Sequence, residues 1–212
     1  MSEYTRKHIL KDYGFFLKSK TIVIYNGIET SVFVKRTSEN KNQFVVCSHL
    51  RESKGIQDLL KAVSVLENDI KNQIHIDIYG EGPYEKHLIA MSTNLNLNQI
   101  VFFKGSSSNL HQLIANYSYL LQPTYMECFS LSILESLAAN VPVITTTVGG
   151  NLEIIEHKKN GFIFEPKDFQ ALSIILNGVV SGNLKIERDV CLEIQNDFNL
   201  DKMVNQHIQL LG

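Results

Sequence analysis

Apolar and polar positions alternate along this chain with two different spacings. Short runs of apolar and β-branched residues predict strands at residues 44–47, 74–79, 100–103, 119–122, 141–145 and 161–164. Apolar residues three and four positions apart predict helices at 56–66, 83–94, 110–116, 130–139 and 169–179. Because strands and helices alternate, we expect an α/β, Rossmann-like fold in which helices cover both faces of a parallel sheet.

Further segments flank this core. A helical pattern at residues 3–12 and a β-branched run at 21–25 precede a polar stretch, 35–43, which contains no apolar side chain. Apolar residues at helical spacing over 203–211 predict a final amphipathic helix. We therefore predict a leading segment at 1–34, the α/β domain at 35–182, and a helical segment at 183–212.

Composition narrows the classes of partner. The 20 basic and 22 acidic side chains give a formal charge of −2, so bulk charge cannot hold nucleic acid or an anionic membrane. Cys47, Cys128 and Cys191 are odd in number and far apart, which argues against a disulfide framework and a structural zinc site. The sequence also lacks an apolar run near the ~20 residues of a membrane span and the apolar core of a signal peptide. We expect a soluble, cytoplasmic protein.

Ligands of parallel sheets bind at the carboxyl ends of the strands, which here precede the loops at 49–55, 80–83, 104–108, 123–130 and 146–150. The first loop carries His49, Arg51 and Lys54, and Gly55 then opens a helix. A lysine beside helix amides suits an anion such as a phosphate. The alternative is a solvated loop whose lysine faces water.

Two glycine-rich loops allow close approach of a ligand to the backbone. They are Gly80-Glu81-Gly82-Pro83 and Gly149-Gly150, the latter followed by Glu153. A tight turn between a strand and a helix needs the same glycines, so either interpretation is open.

Glu127 and Glu135 lie in the most informative segment, residues 123–155. Glu135 falls in an almost entirely apolar helical pattern, where burying an unpaired carboxylate is costly. If the helix begins near Ser130, Glu135 can reach the hydroxyl groups of a ligand. If it begins later, Ser132 and Glu135 form a capping box and the backbone satisfies the carboxylate. Residue types alone favour neither interpretation.

Five motifs, in this order, resemble the C-terminal, donor-binding domain of a GT-B glycosyltransferase of the retaining family GT4. They are Ser48-His49-Leu50 with Lys54-Gly55, Gly80-Glu81-Gly82-Pro83, Pro123-Thr124 with Glu127-Cys128-Phe129-Ser130, Glu135-Ser136, and Pro142-Val143-Ile144 with Gly149-Gly150 and Glu153. The resemblance covers about residues 2–182, and the part from Tyr25 to Phe33 resembles the interdomain segment. It implies transfer from a nucleoside diphosphate sugar to an acceptor hydroxyl, as in polysaccharide biosynthesis.

The resemblance also implies individual roles. Lys54, on the donor diphosphate, and Glu127, at the sugar, would be the catalytic residues. Glu135 would bind the ribose hydroxyls, and no metal or other cofactor is implied. The remaining donor-binding positions would be His49, Gly80 and the backbone amides of Phe129, Ser130 and Leu131.

This chain departs from the family pattern in two ways. His49 stands where the family usually has an arginine, and an imidazole is only partly charged at neutral pH. Cys128 and Ser130 replace two usual glycines.

The family's N-terminal, acceptor-binding domain is almost entirely missing. This implies an excised domain, a truncated gene or one subunit of a split enzyme. Its partners would then be a nucleotide sugar and an acceptor-binding domain or subunit, and peripheral membrane association through that missing domain stays open. The alternative functions are a non-catalytic nucleotide-sugar-binding module and a sugar-nucleotide 2-epimerase.

Overall fold

Within residues 2–37 and 41–211, the part of the chain that the computed structural model describes apart from the side chain of Glu193, six parallel strands form one sheet. The strands are β1 (Gln43–Cys47), β2 (His75–Tyr79), β3 (Val101–Gly105), β4 (Tyr119–Gln122), β5 (Val143–Thr146) and β6 (Gly161–Phe164). Their order is β3-β2-β1-β4-β5-β6, so the direction in which strands are added reverses at β1. The predicted α/β, Rossmann-like fold is therefore confirmed.

Helices surround this sheet. The helix α2 packs against α4 and α7, whereas α6 packs against α8. The helices are α1 (Glu3–Tyr13), α2 (Ile56–Ser64), α3 (Asn68–Lys71), α4 (Glu85–Asn94), α5 (Leu110–Leu113), α6 (Leu131–Ala138), α7 (Phe169–Val180), α8 (Cys191–Asp197) and α9 (Leu200–Leu211). In the described part of the chain, none of them is both long and apolar enough to cross a membrane.

The central strand β1 shows why the apolar runs form this sheet. Phe44 pairs in register with Ile76 of β2 on one side and with Tyr119 of β4 on the other. Phe44 and Val45 are fully buried. A strand covered on both faces needs apolar side chains at consecutive positions, which is the pattern that the sequence shows.

Several element boundaries differ from the sequence prediction, and two short helices, α3 and α8, were not predicted. β5 begins at Val143 rather than at Val141, because Ser136 Oγ and Ser136 O hold the carbonyl and amide of Val141 in the turn after α6. α8 is only seven residues long, and its apolar residues Cys191 and Ile194 form too short a pattern to be recognised.

The segments that flank the α/β domain contact each other. The amide of Ile28 donates to Phe198 O at 3.0 Å, and the amide of Leu200 donates to Ile28 O at 2.9 Å. The β-branched run at 21–25 belongs to no helix and lies outside the six strands of the described sheet. Residues 38–40 of the predicted polar linker lie outside the described residues, and the three-part division of the chain stays a prediction.

Candidate functional site

A cleft of about 470 Å³ opens at the carboxyl ends of β1, β2 and β3. We call it the carboxyl-end cleft. It contains three of the residues predicted to bind a donor, His49, Gly80 and Glu135. The lining residues are Cys47, Ser48, His49, Tyr79, Gly80, Glu81, Ser106, Ser107, Leu110, Ser132 and Glu135. Ser106 and Ser107 belong to the predicted loop 104–108, in which the sequence singled out no particular residue.

Gly80 and Gly82 bring two loops of the cleft together. Gly80 has a φ of 131°, and a Cβ atom there would lie 1.9 Å from Ser48 O. A Cβ atom on Gly82 would lie 2.3 Å from Leu50 O, and the amide of Leu50 donates to Glu81 O at 2.9 Å. These glycines therefore hold the loop after β1 against the loop after β2, because any side chain would force the two backbones apart.

Glu135 enters the cleft from the first turns of α6. The helix begins at Leu131, and its N-cap is Ser130, whose Oγ accepts from the amide of Ile133 at 3.3 Å. Ser132 Oγ donates to Cys47 O at 3.0 Å instead of capping a helix. The capping-box interpretation of Ser132 and Glu135 is therefore wrong.

The Glu135 carboxylate accordingly remains available to a ligand. It has no hydrogen-bond or ion-pair partner among the residues described, and burial raises its pKa. A carboxylate in this position can accept hydrogen bonds from hydroxyl groups, and such bonds would offset part of the cost of its burial.

The two predicted catalytic residues form an ion pair. Lys54 Nζ lies 2.9 Å from Glu127 Oε2, and Glu127 Oε1 accepts from the amide of Cys128 at 3.1 Å. Only 23% of the Lys54 side chain and 16% of the Glu127 side chain are exposed. The pair lies outside the residues that line the carboxyl-end cleft, although Lys54 and His49 belong to the same loop.

Backbone contacts fix this ion pair in place. The amide of Tyr125 donates to Ser53 O at 2.8 Å, which joins the loop after β4 to the loop after β1. Gly55 has a φ of 68°, and a Cβ atom there would lie 1.8 Å from Pro123 O. The two loops can meet only because position 55 carries no side chain.

The segment from Phe129 to Leu131 offers a ligand mainly its backbone. The ring of Phe129 is buried against Tyr25 and Phe198, with centroid distances of 5.3 and 5.7 Å. Ser130 is buried, and its hydroxyl also accepts from Gln122 Nε2. Leu131, the first residue of α6, is 47% exposed.

The loop after β5 supports the Glu127 loop rather than facing the cleft. Gly149 has a φ of 61°, and a Cβ atom there would lie 1.5 Å from Glu127 O. The amide of Gly150 donates to Cys128 O at 3.1 Å. The residues Gly149 and Gly150 thus permit backbone packing beneath the predicted sugar position.

Glu153 anchors α1, a role that the sequence did not reveal. Its carboxylate accepts from the amides of Glu3 and Tyr4 at 2.8 Å each, and from the hydroxyl of Tyr25 at 2.9 Å. Burial and the neighbouring Glu153 raise the pKa of Tyr25 to about 12. A carboxylate at the positive end of a helix is favourable, so Glu153 joins the leading segment to the α/β domain.

A cluster of polar side chains that adjoins the cleft through Tyr79 was likewise not predicted from the sequence. Asp77 Oδ2 accepts from the hydroxyl of Tyr117 at 2.7 Å, and Asp77 Oδ1 lies 3.1 Å from His75 Nε2. The Tyr117 hydroxyl lies 3.3 Å from that of Tyr79, which lines the cleft. Burial raises the pKa of Tyr117. The signal was present, because the alternation of a strand places His75, Asp77 and Tyr79 on one face.

Comparisons with known proteins agree with the fold. A family model described as glycosyl transferases group 1 matches residues 27–191. The N-acetyl-alpha-D-glucosaminyl L-malate synthase of Bacillus anthracis is 26% identical over 200 residues, which are 87% of this chain and 51% of that protein. The lipopolysaccharide 1,6-galactosyltransferase of Escherichia coli K12 is 26% identical over 79% of this chain and 48% of that protein. The chain thus spans about half the length of the curated relatives it matches.

Two solved structures show the same fold. Anabaena HepE in complex with UDP has a TM-score of 0.88 and 23% identity, with 99% of this chain and 62% of that chain covered. The sucrose-phosphate synthase from Thermosynechococcus elongatus has a TM-score of 0.85 and 19% identity, with 100% of this chain and 56% of that chain covered.

Proposed function

Because the chain belongs to the family of group 1 glycosyl transferases, we propose that it is the donor-binding half of a retaining GT-B glycosyltransferase of family GT4. Its substrate is a nucleoside diphosphate sugar, and the sugar passes to an acceptor hydroxyl. The carboxyl-end cleft carries this proposal, since His49, Gly80 and the unpartnered carboxylate of Glu135 line one volume in the described structure. The complexes of Anabaena HepE with UDP and with UDP-glucose support this class of donor.

The proposed donor extends from the carboxyl-end cleft to the ion pair of Lys54 and Glu127, both at the carboxyl edge of the sheet. Its nucleoside occupies the carboxyl-end cleft, where Glu135 accepts hydrogen bonds from the ribose hydroxyls. Its diphosphate lies toward Lys54 and the first amides of α6, because an ammonium group and a helix N-terminus both stabilise negative charge. Glu127 then lies at the sugar. His49, which lines the cleft and belongs to the same loop as Lys54, can donate a hydrogen bond to the donor.

In the proposed reaction, the acceptor hydroxyl forms a bond to the anomeric carbon while the bond to the diphosphate oxygen breaks. The electron pair of the broken bond stays on the diphosphate, and an oxygen of that diphosphate takes up the proton of the acceptor hydroxyl. Lys54 and the helix amides stabilise that developing negative charge, which is where preorganised charges lower the barrier most. Glu135 is assigned to the ribose, so the two glutamates do not act as a glycosidase pair.

A second candidate is a nucleotide-sugar-binding module without activity of its own. The observation that favours it is His49, which stands in the cleft where the family usually has an arginine and cannot form the two parallel hydrogen bonds of a guanidinium to a phosphate. We propose an acceptor-binding domain or subunit as the partner of this chain, and turnover measured with and without such a domain separates the two functions. The cytoplasmic location and the absence of a metal requirement stay predictions.

A thermal-shift panel of UDP, GDP, ADP and their sugars tests the proposal. A nucleotide at 100 times its Kd stabilises the folded protein by ~2.7 kcal/mol, which raises the Tm by about 5–11 °C for a domain of this size. Lys54→Ala should reduce the affinity for the selected nucleotide at least tenfold, or ~1.4 kcal/mol. Lys86→Ala, at an exposed position of α4, is the matched control and should leave the affinity unchanged. If none of the nucleotides raises the Tm at millimolar concentration, the proposed function is wrong.

A further inference from the structure

The cation predicted to hold the donor diphosphate is already neutralised within the chain. Lys54 Nζ lies 2.9 Å from Glu127 Oε2, and both side chains are mostly buried. A mostly buried pair is screened less by solvent and salt than an exposed one. An incoming diphosphate therefore meets a charge pair that is neutral overall.

Glu127 cannot easily turn away from this pair. Its second carboxylate oxygen accepts from the amide of Cys128 at 3.1 Å. The backbone of Glu127 also packs closely against the backbone of Gly149. A Cβ atom on Gly149 would lie 1.5 Å from Glu127 O, so this packing is possible only because Gly149 has no side chain. The carboxylate is thus a fixed negative charge beside the ammonium group that binds phosphate in the proposed function.

We infer that Glu127 makes the site prefer a sugar-linked diphosphate to a free nucleoside diphosphate, and so promotes product release. This inference rests on the proposed function. A phosphate monoester ionises a second time with a pKa near 6, so the terminal phosphate of UDP gains a charge at neutral pH. The same phosphate in UDP-glucose is a diester and gains none. The additional charge of the product therefore faces the carboxylate of Glu127.

The size of the effect follows from the separation of the charges. For one additional like charge about 5 Å from the carboxylate, Coulomb's law gives about a fourfold change in affinity in bulk water and a few hundredfold at an effective dielectric constant of about 20, so at this mostly buried pair we expect a change of at least about tenfold. Removing the carboxylate leaves Lys54 as an uncompensated cation, which favours the more highly charged ligand. The gain should therefore be larger for UDP than for UDP-glucose.

Calorimetry with UDP and UDP-glucose at pH 7.5 tests this inference. GDP with GDP-mannose and ADP with ADP-glucose replace them if the thermal-shift panel selects another base. We expect Glu127→Gln to raise the affinity for both ligands, because both carry a charged phosphate beside the carboxylate, and to raise the affinity for UDP at least about tenfold more than the affinity for UDP-glucose. The matched control is Glu52→Gln, which removes an exposed carboxylate from the same loop and should change both affinities less than twofold.

Repeating the titrations at pH 5.5 separates charge from structure. UDP has largely lost its additional charge at that pH, so the excess of the gain for UDP over the gain for UDP-glucose should shrink, whereas any contact of Glu127 with the sugar affects UDP-glucose equally at both pH values. A merely structural effect of the substitution would be the same at both pH values. Glu127→Ala removes the same carboxylate and should give the same pattern, and a Tm measurement shows that each variant is folded.

The outcomes distinguish this inference from the proposed function. If the wild-type chain binds none of the nucleotides, the proposed function fails, and this inference fails with it. If the wild type binds UDP but both variants bind UDP no more tightly, only the inference is overturned. Equal gains for UDP and UDP-glucose at both pH values would also overturn it, since Glu127 would then compete for Lys54 without discriminating between the ligands.

Discussion

Glu153→Gln should loosen the contact between α1 and the α/β domain. The wild-type carboxylate accepts three hydrogen bonds, from the amides of Glu3 and Tyr4 and from the hydroxyl of Tyr25. Glutamine keeps one acceptor oxygen, but an NH₂ group replaces the second oxygen. Because an NH₂ group cannot accept a hydrogen bond, the donors that this second oxygen served lose their partner. The side chain also loses the negative charge that interacts favourably with the first turn of α1.

The magnitude follows from these contacts. A hydrogen bond to a charged group contributes ~1.5–3 kcal/mol, and one between neutral groups ~0.5–1.5 kcal/mol. The exchange therefore costs ~1 kcal/mol for each bond. Since the bond from the amide of Tyr4 is exposed, we count it little and expect a total loss of about 2 kcal/mol in the free energy of unfolding. For a domain of this size, that corresponds to a fall in Tm of about 4–8 °C.

Urea denaturation followed by circular dichroism measures this loss. The control is Glu156→Gln, at an exposed carboxylate whose ion-pair partner is the exposed Lys159. Exposed pairs contribute little, so the control should change the free energy of unfolding by less than about 0.5 kcal/mol. Equal effects of the two substitutions would refute the anchoring role of Glu153.

A spectroscopic titration tests the same contact without unfolding the protein. The pKa of Tyr25 is raised to about 12, first by burial and then by the hydrogen bond and charge of Glu153. In Glu153→Gln the pKa of Tyr25 should fall but remain above the usual value for tyrosine, because burial persists. An unchanged pKa would mean that Tyr25 and Glu153 are not in contact in solution.

Three further substitutions test the site. Glu135→Ala should reduce the affinity for a ribonucleotide at least fivefold more than the affinity for the deoxyribonucleotide, because a hydrogen bond to a carboxylate contributes about 1.5 kcal/mol or more. Calorimetry measures both affinities, and equal losses would show that Glu135 does not bind the ribose hydroxyls. His49→Arg should raise nucleotide affinity severalfold, because a guanidinium can form two parallel hydrogen bonds to a phosphate and an imidazole cannot; an unchanged affinity in calorimetry would show that position 49 does not face the diphosphate. Gly55→Ala should lower the free energy of unfolding by more than about 2 kcal/mol, since its Cβ atom would lie 1.8 Å from Pro123 O; a stable, nucleotide-binding variant would show that the two loops can separate.

Local patterns in the sequence determined which segments become strands and helices. The central strands are recognisable because burial on both faces demands consecutive apolar residues, as at Phe44 and Val45. The glycines of the loops were also visible, and the loop residues of the carboxyl-end cleft, such as His49, Gly80 and Ser106, follow predicted strands. The five motifs correctly indicated the family of group 1 glycosyl transferases, because they combine such local signals in a fixed order.

Only the tertiary structure decided how the polar side chains pair. The start of α6 depends on contacts of Ser130 with Gln122 and of Ser132 with Cys47, the second of which spans 85 positions of the chain. The ion pair of Lys54 and Glu127 joins positions 73 apart, and Glu153 reaches α1 across 150 positions. Hydrogen bonds and ion pairs of this kind depend on distance and direction in space, and separations of this length leave no periodic pattern in the sequence. The sequence therefore named the candidate residues, whereas the fold decided which of them are already paired and which, like Glu135, are open to a ligand.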